Sequence, residues 1–339
     1  MSIIEQVVTA QMVRTAHAAW LLSKQNVVAC GVGYKITQGQ VTDQPSIVVS
    51  VTRKLPLAQL SAQDMVPGKL DGVETDVIET GVIRAFAEPM AQQAGGGQGH
   101  RDRWRPTIPP GVSIGHEDIT AGTFGCLVRR GDERFILSNN HVLANSNAGR
   151  PRDTILQPGR ADGGSDADKV AELADYVAID FEGGPSGCSA SLVRMWRSLS
   201  QRAVISQEQP GENKVDAALA KPLSDSMVSA EILEIGIPTG IAVAALGMPV
   251  QKSGRTTGYT TGSVIQIDVT VQVAYGSQTA RFVNQLMAGA MSQPGDSGSA
   301  VLDMERNVIG LLFAGSNTTT LFNPIESVLE ALNVQVVTS

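Results

Sequence analysis

The 339-residue sequence predicts a mainly β protein in which a small α+β domain comes first. Two observations favour this fold class. The chain contains 35 glycines but only 4% aromatic residues, and Gly-rich sequence with many Val, Ile and Thr residues is typical of β structure. From residue 112 onward, short strand-like runs follow one another closely, which favours a sandwich or a barrel. The length itself suggests at least two domains.

Residues 1–87 are predicted to form the small α+β domain. Residues 3–24 place apolar side chains every three to four positions, which predicts an amphipathic helix. Strands are predicted at 26–36, 46–55 and 72–83, with a short helix at 57–65. The apolar side of the first helix either covers the sheet of this domain or forms an assembly face.

Residues 88–111 are predicted to be a flexible linker. The segment is rich in Gly, Gln, Pro and Arg and has no periodicity. Within it, Arg101, Arg103 and Arg105 surround Trp104. This cluster is either a docking patch or an ordinary solvated part of the linker.

Residues 112–339 are predicted to form the main β domain. Strand-like runs lie within 123–144, 216–222, 247–275 and 307–316. The tail predicts one closing helix at 324–333, because its apolar residues recur at helical spacing. These residues are Ile325, Val328, Leu329 and Leu332.

Charge and cysteine content limit the partners and the compartment. The net charge of −7 argues against nucleic acid or an anionic membrane as partner, since phosphate binding needs clustered Lys and Arg. The three cysteines, Cys30, Cys126 and Cys188, form no CxxC pair, so neither a metal site nor a disulfide framework is predicted. The N-terminal residues lack the pattern of a secretory signal, and no apolar run reaches 18 residues. We therefore expect a cytoplasmic protein without a cofactor.

The stretch MSQPGDSGSA at 291–300 predicts a nucleophilic serine, Ser297. A serine nucleophile needs a base, and the base needs an orienting group. Of the four histidines, His17 lies in the first helix, His100 in the linker and His116 in a turn. His141 follows a strand-like run, so it is the candidate base, with a structural histidine as the alternative.

Asp216 is the candidate orienting carboxylate. In VDAALA at 215–220 the apolar residues alternate with Asp216, which is then expected to face inward and to need a partner. Asp175 and Asp180 compete for this role, although both are expected to face solvent. The backbone amides of Gly295 and Ser297 can bind a developing oxyanion.

These segments resemble the trypsin-like, chymotrypsin-fold serine peptidases, especially the bacterial streptogrisin and α-lytic group. SNNHVLA with His141 is similar to the family's TAAHC, VDAALAKP with Asp216 to D-I-A-L-L-K, and SQPGDSGS with Ser297 to QPGDSGG. VQKSGRTTG at 250–258 is similar to the RSGRTTG stretch of the bacterial members. The resemblance covers about residues 112–335, and the overall layout is also similar to Narrow-leaf-type plant peptidases and their bacterial homologues.

The resemblance implies two six-stranded antiparallel barrels with a catalytic cleft between them. The first barrel covers about 112–222 and carries His141 and Asp216, and the second covers about 235–322 and carries Ser297. Three features depart from the family pattern. Ser299 replaces the last glycine of GDSGG, and Val142 stands where the animal enzymes have a cysteine, so Cys126 is expected to be free. Residues 160–187 look like an insertion that can cover the cleft.

Support and specificity residues follow from the same resemblance. Lys252 is expected to pair with Asp296 and to order the oxyanion loop, the alternative being a solvent-exposed lysine in a turn. A peptide substrate is expected to pair with the strand Phe313, Ala314 and Gly315. Met291 and Phe313 are expected to make the pocket apolar.

The sequence therefore predicts a serine endopeptidase that is regulated and acts on a specific protein partner. The N-terminal domain is interpreted as regulatory, pro-region-like or a surface for homo-oligomer assembly. One alternative is a latent protein of the same fold that serves as a binding or scaffold protein. Another is a self-cleaving enzyme that cuts its own linker at 88–111.

Overall fold

The structure is a computed structural model that describes residues 2–85, 99–182 and 211–338. Helix α1 (Ile3–Leu22) begins at a capping box in which the Ser2 and Glu5 side chains each bond the other's backbone N–H. The helix ends two residues before the predicted boundary. Five strands follow it: β1 (Val27–Thr37), β2 (Gln40–Val51), β3 (Lys69–Leu70), β4 (Val73–Glu79) and β5 (Arg84–Ala85).

Helix α1 covers the sheet of the N-terminal segment with one of its sides. Leu21 and Leu22 are buried against Val27, Cys30 and Ile47 of the first two strands. Other apolar side chains of the helix are exposed, with Ile4 and Met12 at 76% and 69% of full exposure. Of the two alternatives for this helix, a cover for the sheet and an assembly face, the first is therefore correct for its buried residues.

The first barrel is formed by eight strands. They are β6 (Ser113–His116), β7 (Gly122–Thr123), β8 (Cys126–Arg130), β9 (Glu133–Ser138), β10 (Thr154–Leu156), β11 (Lys169–Tyr176), β12 (Ala218–Pro222) and β20 (Gln335–Val336). The order across the sheet is β20-β8-β9-β12-β11-β10-β6-β7. The two strands beyond the expected six are the two-residue strands at the ends of this path.

The expectation of an insertion at 160–187 is wrong for its central part. Strand β11 pairs antiparallel with β10 on one side and with β12 on the other. Strand β11 is therefore an integral strand of the first barrel, and its residues do not cover the cleft. Residues 183–210, with Cys188, lie outside the described residues.

The second barrel is a closed ring of six strands. The six strands are β14 (Pro249–Gly254), β15 (Gly258–Tyr275), β16 (Gln278–Gly289), β17 (Ala300–Asp303), β18 (Asn307–Gly315) and β19 (Thr319–Pro324). The two-residue strand β13 (Gly240–Ile241) lies outside the ring and pairs with β18. The path β14-β17-β18-β19-β16-β15 closes because β14 also pairs with β15. The predicted fold class, mainly β with two antiparallel barrels behind an α+β segment, is confirmed.

A shared apolar core joins the two barrels. Helix α3 (Ile325–Leu332), predicted at 324–333, follows the last strand of the second barrel and buries Ile325, Val328 and Leu332. These side chains lie in one cluster with Leu137 of the first barrel and Leu311 of the second. The barrels are therefore fixed to each other by buried apolar surface.

The N-terminal sheet continues into the second barrel. Strand β1 pairs antiparallel with β15, so that Ala29 lies opposite Val271. Gly33 permits this approach, because a Cβ on it would lie 2.6 Å from the backbone oxygen of Ile265. Gly31 and Gly33, the two glycines of β1, thus serve close strand packing.

The second half of the predicted linker is held against the first barrel. Arg103 donates two hydrogen bonds to Asp168, at 2.6 and 2.7 Å. These bonds are the main cause that lowers the pKa of Asp168 to about 2. The expectation of a flexible linker is therefore corrected for 99–111, while 86–98 lie outside the described residues.

Candidate active site

His141 lies on a short helix directly after a strand of the first barrel. Strand β9 ends at Ser138, and helix α2 (Asn140–Leu143) begins two residues later. The side-chain amide of Asn139 donates to the backbone oxygen of Asp216 at 2.7 Å. The strand end is therefore tied to the segment that carries the candidate carboxylate.

The structure brings His141 and Asp216 into direct contact. The distance between His141 Nδ1 and Asp216 Oδ2 is 2.5 Å, and the His141 backbone N–H donates to the other carboxylate oxygen at 3.3 Å. Asp216 is fully buried. Burial of a carboxylate requires such donors. Because Asp216 contacts both the backbone and the ring of His141, the orientation of the imidazole is fixed.

Two further residues from the second barrel hold Asp216. The hydroxyl of Tyr275 donates to Asp216 Oδ2 at 2.8 Å. The backbone N–H of Asp216 donates to the side-chain oxygen of Asn323 at 3.1 Å. The carboxylate and its backbone are thus fixed from both barrels.

Ser297 lies in the turn before β17, next to the histidine helix. A Cβ on Gly122 would lie 2.5 Å from Val142 Cγ2 and 3.0 Å from the backbone oxygen of Ser297. Glycine at this position therefore lets the two segments meet. The Ser297 hydroxyl donates to the backbone oxygen of Phe313 at 3.4 Å, and His141 Nε2 has no hydrogen-bond partner among the described residues.

The loop before Ser297 leaves two amides available. Gly295 and Gly298 have positive φ angles of 100° and 93°, a conformation that favours glycine. Thr123 anchors the loop by donating its hydroxyl to the Gly295 oxygen and its N–H to the Ser297 oxygen, at 2.9 and 2.7 Å. Within the described parts of the chain, the N–H groups of Gly295 and Ser297 make no hydrogen bond. Such amides can bind an anion.

Lys252 and Asp296 form a buried ion pair below this loop. Their charged atoms are 3.5 Å apart and both side chains are fully buried. Burial lowers the pKa of Lys252, and the negative charge of Asp296 opposes this effect. The alternative of a solvent-exposed lysine is therefore wrong, because strand β14 turns this side chain inward.

Asp296 is well supplied with hydrogen-bond donors. The backbone N–H groups of Thr256, Thr257 and Gln293 donate to its carboxylate at 2.8, 3.1 and 2.9 Å. Ser299, which replaces a family glycine, donates its hydroxyl to the Asp296 backbone oxygen at 2.6 Å. The extra hydroxyl is accommodated inside the turn.

The strand expected to bind substrate is partly occupied by the chain itself. Strand β5 pairs antiparallel with the end of β18, with Ala85 opposite Ala314 and Arg84 opposite Gly315. On its other side, the oxygen of Ile83 accepts a hydrogen bond from the N–H of Ala274 at 3.0 Å. Residues 83–85 thus lie between β18 and β15.

The two residues expected to form an apolar pocket are not brought together. Met291 packs in a cluster with Leu312 and Phe322, whereas Phe313 packs in a different cluster with Phe282. Both side chains are buried, at 4% and 0% of full exposure. In this structure they contribute to the core of the second barrel.

The remaining candidate histidines and acids have other partners. These pairs are His17 with Asp71, His100 with Glu234, His116 with Asp153, Asp175 with Arg130, and the Asp180 carboxylate with the backbone N–H of Gly211. Arg103 and Trp104, for which a docking patch and a solvated linker were the alternatives, are likewise bound within the chain, to Asp168 and to the Gly99 oxygen.

The buried cysteines are poor candidates for reactivity. Cys30 and Cys126 are free thiols, and burial raises their pKa values to about 11 and about 12. Within the described residues, no group of three or more His, Cys, Asp or Glu side chains could hold a metal ion. Among the same residues, no helix is both long enough and apolar enough to span a bilayer.

Sequence reasoning missed Tyr275, Asn323 and the Arg84–Ala85 strand. Tyr275 is the last residue of an apolar alternating run, which predicts only a strand. Asn323 precedes the closing helix and is typical of a turn. The positions of all three depend on the pairing of distant strands, and no local motif marks them.

Two family models match the chain. Residues 196–330 match the model described as Trypsin, and residues 8–84 match the NARROW LEAF 1 N-terminal domain. Streptogrisin-A from Streptomyces griseus is 33% identical over 98 residues, which covers 27% of this chain and 32% of that protein. The aligned region thus spans about a third of this curated relative.

Solved structures of peptidases are similar at lower identity. Thermobifida fusca protease A has a TM-score of 0.46 and 18% identity, covering 69% of this chain and 100% of its own. Cellulomonas bogoriensis chymotrypsin has a TM-score of 0.43 and 17% identity, with coverages of 69% and 100%.

The two barrels have the chymotrypsin-like fold, and residues 196–330 match the trypsin family model. In this particular chain, the two barrels follow a segment that matches the NARROW LEAF 1 N-terminal domain and whose sheet pairs with the second barrel.

Proposed function

We propose that this protein is a serine endopeptidase with His141 as base, Asp216 as orienting group and Ser297 as nucleophile. The observation that carries the proposal is the buried hydrogen bond of 2.5 Å between His141 and Asp216, formed next to the serine loop. An imidazole held in this way at Nδ1 has Nε2 free to accept a proton. The substrate class is protein or peptide.

The reaction follows from these groups in two halves. His141 Nε2 takes the proton of the Ser297 hydroxyl while Ser297 Oγ bonds to the peptide carbonyl carbon. The amides of Gly295 and Ser297 donate to the oxyanion, His141 protonates the leaving amine, and the C–N bond breaks. Water then attacks the acyl ester with His141 again as base, which releases the acid and restores Ser297.

We further propose that the enzyme is regulated and acts on a specific protein partner. Two observations support a closed resting form: Arg84–Ala85 pairs with the end of β18, and the Ser297 hydroxyl donates to Phe313 rather than to His141. A peptide can pair with this strand only after it displaces residues 84–85. This favours a partner that binds more strongly than that segment.

The same occupied strand favours a second candidate function. If residues 84–85 remain in place, the protein is a latent member of the fold that acts as a binding or scaffold protein. Self-cleavage within 88–111 is a third candidate, and residues 88–98 of that segment lie outside the described residues.

The proposal is tested by labelling the full-length protein with a fluorophosphonate probe. We expect the wild type to be labelled and the Ser297→Ala and His141→Ala variants to remain unlabelled. Ser263→Ala, which removes an exposed hydroxyl on β15, is the matched control and is expected to be labelled like the wild type. A folded wild type that is never labelled contradicts the endopeptidase proposal and favours the latent protein.

A further inference from the structure

We propose that Tyr275 is a positioning residue for the reaction: its hydroxyl, supplied by the second barrel, fixes the Asp216 carboxylate and shares its negative charge. This inference rests on the proposed peptidase function. Tyr275 does not touch the reacting atoms and acts through Asp216 and His141.

The hydrogen bonds at Asp216 carry the inference. Tyr275 donates to Oδ2 at 2.8 Å, and the same oxygen faces His141 Nδ1 at 2.5 Å. Among the described residues, the carboxylate has only these two donors and the His141 backbone N–H. Tyr275 is therefore the one donor that does not belong to His141 itself.

The ring of Tyr275 is held by aromatic contacts on several sides. Its centroid lies 5.5 Å from Phe181 in an edge contact and 6.2 Å from Phe282 in a stacked one. A further edge contact at 5.8 Å joins it to the His141 ring. Because the residue is only 8% exposed, these contacts fix where the hydroxyl points.

The phenol stays a donor over the whole working range of pH. Burial raises the pKa of Tyr275 well above 10, and the charge of Asp216 acts in the same direction. Phe181 and Phe282, which pack on the ring, carry no charge. The ionisable groups that meet at this point are thus His141, Asp216 and the phenol.

A charge-sharing donor has a predictable effect on the base. A carboxylate that donates part of its charge to a phenol attracts the imidazolium proton less strongly. Without the hydroxyl, the carboxylate keeps its full negative charge, which favours the imidazolium over the free imidazole that the reaction needs as base. The loss is therefore largest on the acid side of the pH profile.

The test is the Tyr275→Phe variant of the full-length protein, which keeps the ring and removes only the hydroxyl. We expect the acid-side midpoint of the pH profile to rise by about one unit, and labelling of Ser297 by a fluorophosphonate to slow up to about tenfold below that midpoint. Tyr176→Phe is the matched control, because that half-buried hydroxyl bonds the Asn147 backbone oxygen instead. The control is expected to keep the wild-type rate and midpoint.

A second readout does not depend on activity. The proton NMR signal of the His141 Nδ1–H is expected to move downfield in Tyr275→Phe, because the carboxylate becomes a stronger acceptor. An unchanged signal together with an unchanged midpoint overturns the inference, even if the thermal stability of the variant falls. If the wild type is not labelled but the signal moves, the peptidase proposal fails while the positioning of Asp216 by Tyr275 stands.

Discussion

At the scale of single residues, the buried pair of Lys252 and Asp296 explains how the loop that carries Ser297 keeps its shape. Both side chains are fully buried, so neither charge is solvated by water. The Lys252 ammonium also donates to the backbone oxygen of Gly258 at 2.9 Å. A buried ion pair of this kind contributes little net stability, but the removal of one partner is costly.

Replacement of Lys252 by methionine is expected to lower the free energy of unfolding by about 3–5 kcal/mol. The physical reason is that Asp296 remains buried without its counter-charge. Equilibrium unfolding in urea, followed by circular dichroism, measures the effect. Lys221→Met, which removes a half-exposed charge paired with Glu133, is expected to cost less than about 1 kcal/mol. Equal losses in both variants would show that the buried pair has no special role.

At the scale of elements, the β15–β16 hairpin connects three parts of the molecule. Its strands have 18 and 12 residues, and the hairpin pairs with β1 of the N-terminal sheet. Near its tip, Ala274 binds residues 83–85 and Tyr275 binds Asp216. The hairpin therefore places the N-terminal segment and the candidate carboxylate in one hydrogen-bonded unit.

Replacement of Ala85 by proline is expected to increase the rate of Ser297 labelling roughly tenfold. Proline has no N–H and a fixed φ angle, so it disfavours the strand pairing of β5 with β18. The measurement is the second-order rate of labelling by a fluorophosphonate that carries a peptide.

The control for this prediction is Arg84→Ala, which changes an exposed side chain of the same strand. Since β5 pairs through its backbone, the control is expected to label at the wild-type rate. A proline variant that is folded and labels no faster than wild type would contradict the closed resting form.

At the scale of the whole molecule, the chain forms one continuous structure. The N-terminal sheet continues into the second barrel, and the two barrels share an apolar cluster. Arg14 of helix α1 forms an ion pair with Asp268 and donates to the Thr270 hydroxyl at 2.9 Å, both on β15. We expect the described parts of the chain to unfold together.

Calorimetry of the full-length protein is expected to show a single transition, which Arg14→Ala moves down by a few degrees without splitting it. The variant leaves Asp268 without its buried partner, and this destabilises the junction between helix and hairpin. Arg129→Ala, an exposed arginine on β8, is expected to leave the midpoint unchanged. Two separate transitions in the wild type would contradict a single cooperative unit.

The sequence predicted the fold class because alternation and turn residues mark strands locally. The closing helix was predicted to within one residue at each end, since its apolar periodicity is strong. Helix α1 was predicted to within two residues, although apolar residues such as Ile4 and Met12 are exposed rather than buried. The contact between His141 and Asp216 was expected only through their motifs. Tyr275 could not be predicted, because it lies 59 residues from Asp216 and reaches it through the length of a hairpin. The pairing of Arg84–Ala85 with β18 could not be predicted either, because it depends on the register between strands that are far apart in the sequence.

The attachment of Asp216 to both barrels limits how the protein can be recombined. Asp216 enters from the first barrel, while Tyr275 and Asn323 reach it from the second. A chimera that joins this first barrel to the second barrel of another peptidase would lose both contacts, even if its own nucleophile loop were intact. Engineered hybrids of this fold must therefore transfer Tyr275 at the hairpin tip and Asn323 of the last barrel strand along with the motif that carries Asp216.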